Sequence, residues 1–268
     1  MYPSSTVTDA QWSVLSGLLP PPGNTRGRGG RPETHDRRRI LDAIFYLVRG
    51  GLAWRALPAE FPPWQSVYGW FVRWRRDGTW QLIHDMLRDR VRVAQGRNPL
   101  PTAAVIDSQS VKGADTVARS SRGYDAGKRI NGRKRHIAVD TGGLLLMVLV
   151  TIAGVQDRDG AHRLLALTRE KVSTIRHCWA DGGYTGRLVT WAGEVLKMLV
   201  EVVKRSDTDK GFVVLHRRWV VERTFGWLLG YRRCVRDYER RPDHHETIVY
   251  IAMIMLMSRR LARITGTS

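Results

Sequence analysis

Three carboxylates stand out by the company they keep. Asp107 closes a short apolar run in AVIDSQS, Asp181 closes another in HCWADGGY, and Glu222 lies in the helical pattern RRWVVERTFGWL. Side chains at the ends of buried strands emerge into a crevice, where an open sheet gathers its catalytic groups. Three converging carboxylates in a basic chain need a cation to coexist. Two magnesium or manganese ions about 3.5–4 Å apart, bridging a reacting phosphate, are the natural occupants. Taken singly, each acid has an ordinary role open to it: Asp107 capping a turn, Asp181 opening a Gly-rich turn, Glu222 pairing with Arg218 one helical turn before it. The joint arrangement of strand end, strand end and late helix favours metal-assisted phosphoryl chemistry. Val220, Val221, Thr224, Phe225, Trp227 and Leu228 would anchor the helix by another face, leaving Arg218 and Glu222 to point away from the packed side.

The charge balance agrees with a phosphate-rich partner. Of 268 residues, 44 are Lys or Arg and 25 are Asp or Glu, a net charge of +19. That surplus favours a polyanion, either nucleic acid or an anionic membrane. The longest apolar runs, 142–155 and 248–257, fall short of the ~18 residues a membrane span needs, so nucleic acid leads and no membrane partner is expected. Residues 1–10 lack the basic-then-apolar pattern of a signal peptide. Two cysteines, Cys178 and Cys234, are too few for a disulfide framework, which fits a reducing, cytoplasmic location.

The elements that would carry these residues fall into two parts, 1–98 and 99–268. The first reads as helices with strong punctuation. Thr8 caps a helix with Trp12, Leu15 and Leu19 on one face, and the prolines at 20–22 close it. Residues 23–32 form a Gly- and Arg-rich arm. A second helix spans about 34–49. Ser66 caps a third with Val67, Trp70, Phe71 and Trp74 inward, and Thr79 caps a fourth holding Leu82, Ile83, Met86 and Leu87. Short helices, tight turns and one arginine-bearing helix suggest a helix-turn-helix-like DNA-binding region, with Arg73, Arg75 and Arg76 entering the groove. The same arginines could instead be the solvated side of an amphipathic helix.

Past the linker at 96–101 the periodicity changes to strands. The spacing predicts a strand over 102–106, a basic stretch over 112–135, a hairpin of 135–139 and 144–152 turning at Asp140, and a helix capped by Asp157. Strands follow at 175–180 and 197–204. A long helix starts near Val214, and an apolar helix over 246–264 packs on the sheet, with His244 and His245 serving as its cap. Lys112, Lys128, Lys134 and Arg135 would line a nucleic-acid path beside Asp107, or form a solvated basic loop. Asp125, in GYDAGK, has no role the residues assign. The fold class is α/β with a mixed central sheet.

Several segments together resemble DDE-type transposases of bacterial insertion sequences, of the insertion-sequence-5-type group. They are GGLAWRALP, VYGWFVRW, IDSQSVK, GYDAGKRINGRKRHIAVDTGG, ADGGYTG and RRWVVERTFGWLLGYRR, and they run through essentially the whole chain. The resemblance implies a ribonuclease-H-like catalytic domain behind a helical N-terminal region, with Asp107, Asp181 and Glu222 as a metal-binding catalytic triad. It also implies double-stranded DNA as the partner (element ends and target), binding of terminal inverted repeats, strand cleavage and strand transfer, and a homodimer or higher assembly on nucleoid DNA. The rival is a domesticated DNA-binding regulator that keeps the fold but does not cut. Related transposases carry a Tyr-x2-Arg-x3-Glu-x6-Lys signature. Arg218 and Glu222 fit it, while Leu215 and Leu229 replace the Tyr and the Lys. Eleven residues past Glu222 an unbroken helix returns to the same face, about 16 Å along. On that ground Arg233 becomes a substitute clamp on the DNA backbone, provided the helix survives Gly230; the alternative is a solvated helix end at 231–233 whose cations favour the C-terminal dipole.

Overall fold

Capped helices build the first of two units. The computed structural model describes residues 7–22, 32–203 and 219–265. The described residues of 1–97, 231–234 and 250–268 form one compact unit, and those of 98–230 and 235–249 the other. Helix α1 (Asp9–Ser16) opens with a capping box. The Thr8 hydroxyl accepts from the Gln11 amide at 3.2 Å, and the Gln11 side chain accepts from the Thr8 amide at 3.4 Å. Helix α2 (Arg37–Gly50) starts on Asp36, whose carboxylate takes the Arg38 amide at 2.9 Å. It stops at Gly51, where φ is +71° and a Cβ would press on Arg232 at 2.9 Å.

Helix α3 (Trp64–Arg76) begins directly after Pro63, two residues before the expected Ser66 cap. Asp77 then accepts from the amide and hydroxyl of Thr79 at 3.0 and 2.6 Å and starts α4 (Thr79–Ala94). Trp80 packs edge-on against Trp74, with centroids 5.2 Å apart, and this contact sets the rotation of α4. Its buried face is therefore Trp80, Ile83, Leu87 and Val91. Leu82 and Met86, expected inward, are exposed.

The second unit is a mixed sheet. Strands β1 (Ala103–Lys112), β2 (Gly123–Asp125), β3 (Ile130–Asp140), β4 (Leu145–Ile152), β5 (His177–Ala180) and β6 (Leu199–Val202) take the order β2-β3-β1-β5-β6, with β4 also paired to β3. Pairing is antiparallel among β1, β2, β3 and β4, and parallel along β1, β5 and β6. Helices α5 (Asp157–Lys171) and α6 (Arg187–Leu196) supply the crossovers that parallel strands require. Their Leu164, Leu165, Leu188 and Ala192 bury against Ala104, Ile106, Ala138 and Leu149 of the sheet. The antiparallel strands followed by two parallel ones are consistent with a ribonuclease-H-like fold.

Helix α7 (Trp219–Leu229) packs on β1 and β3. The short α8 (Arg232–Val235) and the long α9 (Pro242–Thr265) complete the chain. The expected helix start near Val214 lies outside the described residues, as do Leu215, Arg218 and most of the arm at 23–32. The apolar run in α9 is buried, but it is not simply a helix on the sheet. From Tyr250 onward it groups with the N-terminal helices, where Tyr250 meets the His84 ring at 4.9 Å and Ser258 accepts from Gln11 at 3.3 Å.

Candidate active site

Register gives two of the acids matched positions on neighbouring strands. The parallel pairing of β1 with β5 has Val105 opposite Trp179 as its last partners. Asp107 and Asp181 each stand two residues beyond that pair, where the neighbouring strands part. Asp107 does not end its strand, as the sequence suggested: β1 runs on to Lys112, held by β3 alone. The crevice opens because β5 stops, not because β1 does. Asp181 follows the last residue of β5 and accepts from the Gly183 amide at 2.8 Å, capping the tight turn Gly182–Tyr184. Both carboxylates are half-buried.

The pleat sorts their surroundings. Alternate residues of a strand face opposite sides of the sheet, and directly paired residues share a side. Asp107 therefore shares a face with Gln109 and Arg135. Gln109 accepts from Arg135 Nε at 3.0 Å, and the Arg135 guanidinium lies 5.8 Å over the ring of Phe225 on α7. That is the face on which α7 sits. Val220, Val221, Thr224, Phe225 and Leu228 anchor α7, and Thr224 Oγ1 donates to the Gly143 carbonyl at 2.7 Å. Glu222 is left exposed in the first described turn. Among the described residues no three of His, Cys, Asp and Glu stand close enough together to hold a metal ion, so Glu222 is not gathered with the two aspartates into a closed ligand set.

The opposite face holds a group the sequence reading missed. Asp157, expected only as a helix cap, is the first residue of α5 and pairs with Lys134 Nζ at 2.8 Å. Its Oδ1 also accepts from Ser108 Oγ at 2.7 Å. Lys134 lies 3.5 Å from Asp125, which accepts from Ser110 Oγ at 2.5 Å. Burial alone would raise both aspartates, but hydrogen bonds and Lys134 reverse it and hold them below the usual carboxylate range. Burial, helped by Lys134 and Lys128 and opposed by Asp157, takes the neighbouring His136 down to about 4. Tyr184 is buried beside Ser108. Burial first, then the charges of Asp107, Asp157 and Asp181, push its phenol well up. One phenol thus feels both aspartates of the expected triad and Asp157 as well. The available signal was polar alternation: Ser108, Ser110, Lys134 and His136 all occupy one face of strands that should be apolar there.

Several expected DNA contacts are corrected. Lys134 and Arg135 are buried at 6% and 0% exposure and committed to Asp157 and Gln109, so neither faces solvent. Lys112 and Lys128 are exposed, as are Arg73 and Arg76, while Arg75 is half-buried. Arg73 lies 4.6 Å over Trp70, which also carries Arg37 at 5.3 Å. Arg233 is no clamp on the Glu222 helix. Helix α7 ends at Leu229, before Gly230, and Arg233 is buried in the helical unit, donating to the Leu52 carbonyl over the ring of Trp54. The His244–His245 pair does not precede its helix as a cap, because α9 already starts at Pro242. His245 is buried, with Nδ1 3.2 Å from Asp237. Asp140 does close its hairpin, accepting from the Gly142 and Leu144 amides at 2.8 and 2.9 Å.

The mixed sheet places two acids just past the point where its parallel strands part, an arrangement consistent with a ribonuclease-H-like domain. Residues 98–257 match the family model described as "Transposase DDE domain", and residues 7–84 match that described as "Putative transposase of IS4/5 family". The chain belongs to the DDE-domain transposases. It is 30% identical over 108 residues, 40% of its length and 72% of the relative's, to the "Insertion element IS402 uncharacterized 16.2 kDa protein" of Burkholderia cepacia. It is 29% identical over 139 residues to the "Putative transposase for insertion sequence element IS402" of the same organism, covering 49% of this chain and 65% of that one. A further relative, "Uncharacterized protein y4sN" of Sinorhizobium fredii, is 36% identical over 79 residues, 30% of this chain and 58% of that protein. No described helix is long and apolar enough to cross a membrane.

Proposed function

We propose that this transposase binds the terminal inverted repeats of its insertion element and catalyses metal-dependent strand cleavage and strand transfer through Asp107, Asp181 and Glu222. The observation that carries this reading is the matched position of Asp107 and Asp181, two residues beyond the last parallel pair of β1 and β5. Their donor chemistry suits hard divalent cations, which take carboxylate and phosphate oxygens. Magnesium or manganese held by these carboxylates would supply Lewis-acid polarisation of the scissile phosphate. The chain's own part is to orient. Asp107 is held by the β3 pairing and by its contact with the Ser108 amide at 2.7 Å, and Asp181 by the Gly183 amide. Glu222 would join them from α7, which sits on the face of the sheet that Asp107 shares with Arg135. The phosphodiester is cut by water, and the freed 3′ hydroxyl then displaces a bridging oxygen of target DNA in line. The helical unit would recognise the ends through α3 and α4 as a helix-turn-helix-like pair, and a dimer or larger assembly would bring two ends together.

The test is to incubate the protein with linear DNA carrying the sequences that flank its reading frame, with magnesium or manganese. Strand breaks at the element ends and joined products are expected. Binding without breaks would instead describe a DNA-binding regulator that keeps the fold, and breaks without joined products a nuclease.

A further inference from the structure

Beyond Val105 and Trp179, β1 loses its neighbour on one side just where Asp107 must be held still. From Ile106 to Val111 the strand pairs only with β3. The side chains behind it make up the missing support. Ser108 Oγ donates to Asp157 at 2.7 Å, Asp157 pairs with Lys134 at 2.8 Å, and Lys134 donates to the Val155 carbonyl at 2.9 Å, tying β1, β3 and the start of α5 into one path. Ser108 in turn donates its amide to Asp107 Oδ1 at 2.7 Å. The carboxylate of Asp107 and the hydroxyl of Ser108 lie on opposite faces of one strand, so any rotation of the backbone at 107–108 moves both.

Lys134 is 7% exposed as a side chain and Asp157 35% exposed. Burying an ammonium this deeply costs several kcal/mol unless it is paired, and a hydrophobic pair would often serve stability as well. A placement role accounts for keeping it charged.

We propose that Asp157 is a positioning residue for Asp107, acting through Ser108 and held in place by Lys134. This rests on the cleavage reading given above. Asp157 takes no part in bond making or breaking. Its carboxylate fixes the Ser108 rotamer and hence the direction in which Asp107 leaves the sheet. A misplacement of about 1 Å at a reacting centre lowers rates about a hundredfold.

The test compares Asp157→Asn, Ser108→Ala, the double variant and Asp107→Ala in full-length protein. Three readouts are used: end binding by gel shift, cleavage rate against manganese concentration, and manganese affinity of DNA-free protein by electron paramagnetic resonance. Asp157→Asn and Ser108→Ala should each cut at least tenfold more slowly and bind manganese more weakly, with end binding unchanged. The double variant should be no worse than the worse single one, because both act along one path. Wild-type cleavage and manganese binding in either single variant overturns the proposal, as does simple additivity in the double one. If Asp157→Asn does not fold, Ser108→Ala decides alone. Asp107→Ala separates the two readings: cutting by that variant refutes the cleavage site itself, whereas its inactivity beside a normal Ser108→Ala refutes only the positioning role.

Discussion

Replacing Asp237 by Asn should destabilise the sheet unit by about 3 kcal/mol at neutral pH. Asp237 and Arg133 are both fully buried, 2.8 Å apart. Removing one partner of such a pair costs about 3–5 kcal/mol, because the survivor is left charged in a low dielectric. The lower end applies here, since Arg133 also donates to the Ser121 carbonyl and hydroxyl and to the carbonyls of Glu239 and Arg240. Asn keeps one oxygen for the Glu239 amide, now at 2.8 Å, but turns an NH2 donor toward Arg133, so the change removes the charge and the acceptor together.

Burial alone would raise the Asp237 carboxyl. His245, Arg133 and the Glu239 amide outweigh it and bring the value from 3.8 down to about 2. A depressed carboxylate contributes stability above its unfolded value and loses it as pH falls through the folded one. At about 1.4 kcal/mol per unit, wild type should lose about 2 kcal/mol between pH 4 and pH 2 from this group. Urea unfolding followed by circular dichroism across pH 7 to 2 measures both effects. The variant should start lower and show a shallower acid limb. A loss below about 1 kcal/mol at pH 7, or parallel acid limbs, would refute the buried-pair reasoning.

Three further outcomes follow from packing and charge. Gly160→Ala places a Cβ against the His136 ring and should cost about 1–3 kcal/mol by overcrowding, measured by thermal melting, despite alanine's better helix propensity. Burial pushes the Cys178 thiol up to about 12, so in folded protein at pH 8 it should resist alkylation by iodoacetamide, and modification as fast as in urea would contradict its burial. With a net charge of +19, DNA affinity should fall steeply and log-linearly with salt, and the triple change of Arg73, Arg75 and Arg76 to Ala should flatten that slope while weakening preference for element ends. Unaltered preference would move recognition away from α3.

The strand, turn and helix pattern was readable because it rests on local chemistry. The Thr8 cap and the Asp140 turn depend on neighbours within a few residues, and the apolar stripe of α7 shows in helical spacing alone. What escaped was set at a distance. Asp157 looks like a helix cap in sequence, and only the β1–β3 register brings Ser108 and Lys134 to it. Lys134 and Arg135 look like a basic surface run, yet the strand pleat turns one toward α5 and the other under Phe225, so both are buried. Arg233 failed for a local reason: Gly230 follows the last residue of α7, and the periodicity counted from Glu222 does not cross it. The rotation of α4 was misjudged because Leu82 and Met86 fit a helical stripe as well as Trp80 does, and the larger ring took the inside.

The most direct measurement is cleavage of element-end DNA in magnesium by wild type and by Asp107→Ala, Asp181→Ala and Glu222→Ala, each scored beside its end binding. Wild type should cut, and each variant should bind the ends about as well while losing cleavage by at least a hundredfold, since each removes charge stabilisation that the phosphoryl transfer needs. Near-normal cutting by any one of the three would remove that carboxylate from the site. Near-normal cutting by Asp107→Ala and Asp181→Ala together would contradict the placement of the active site where β1 and β5 part.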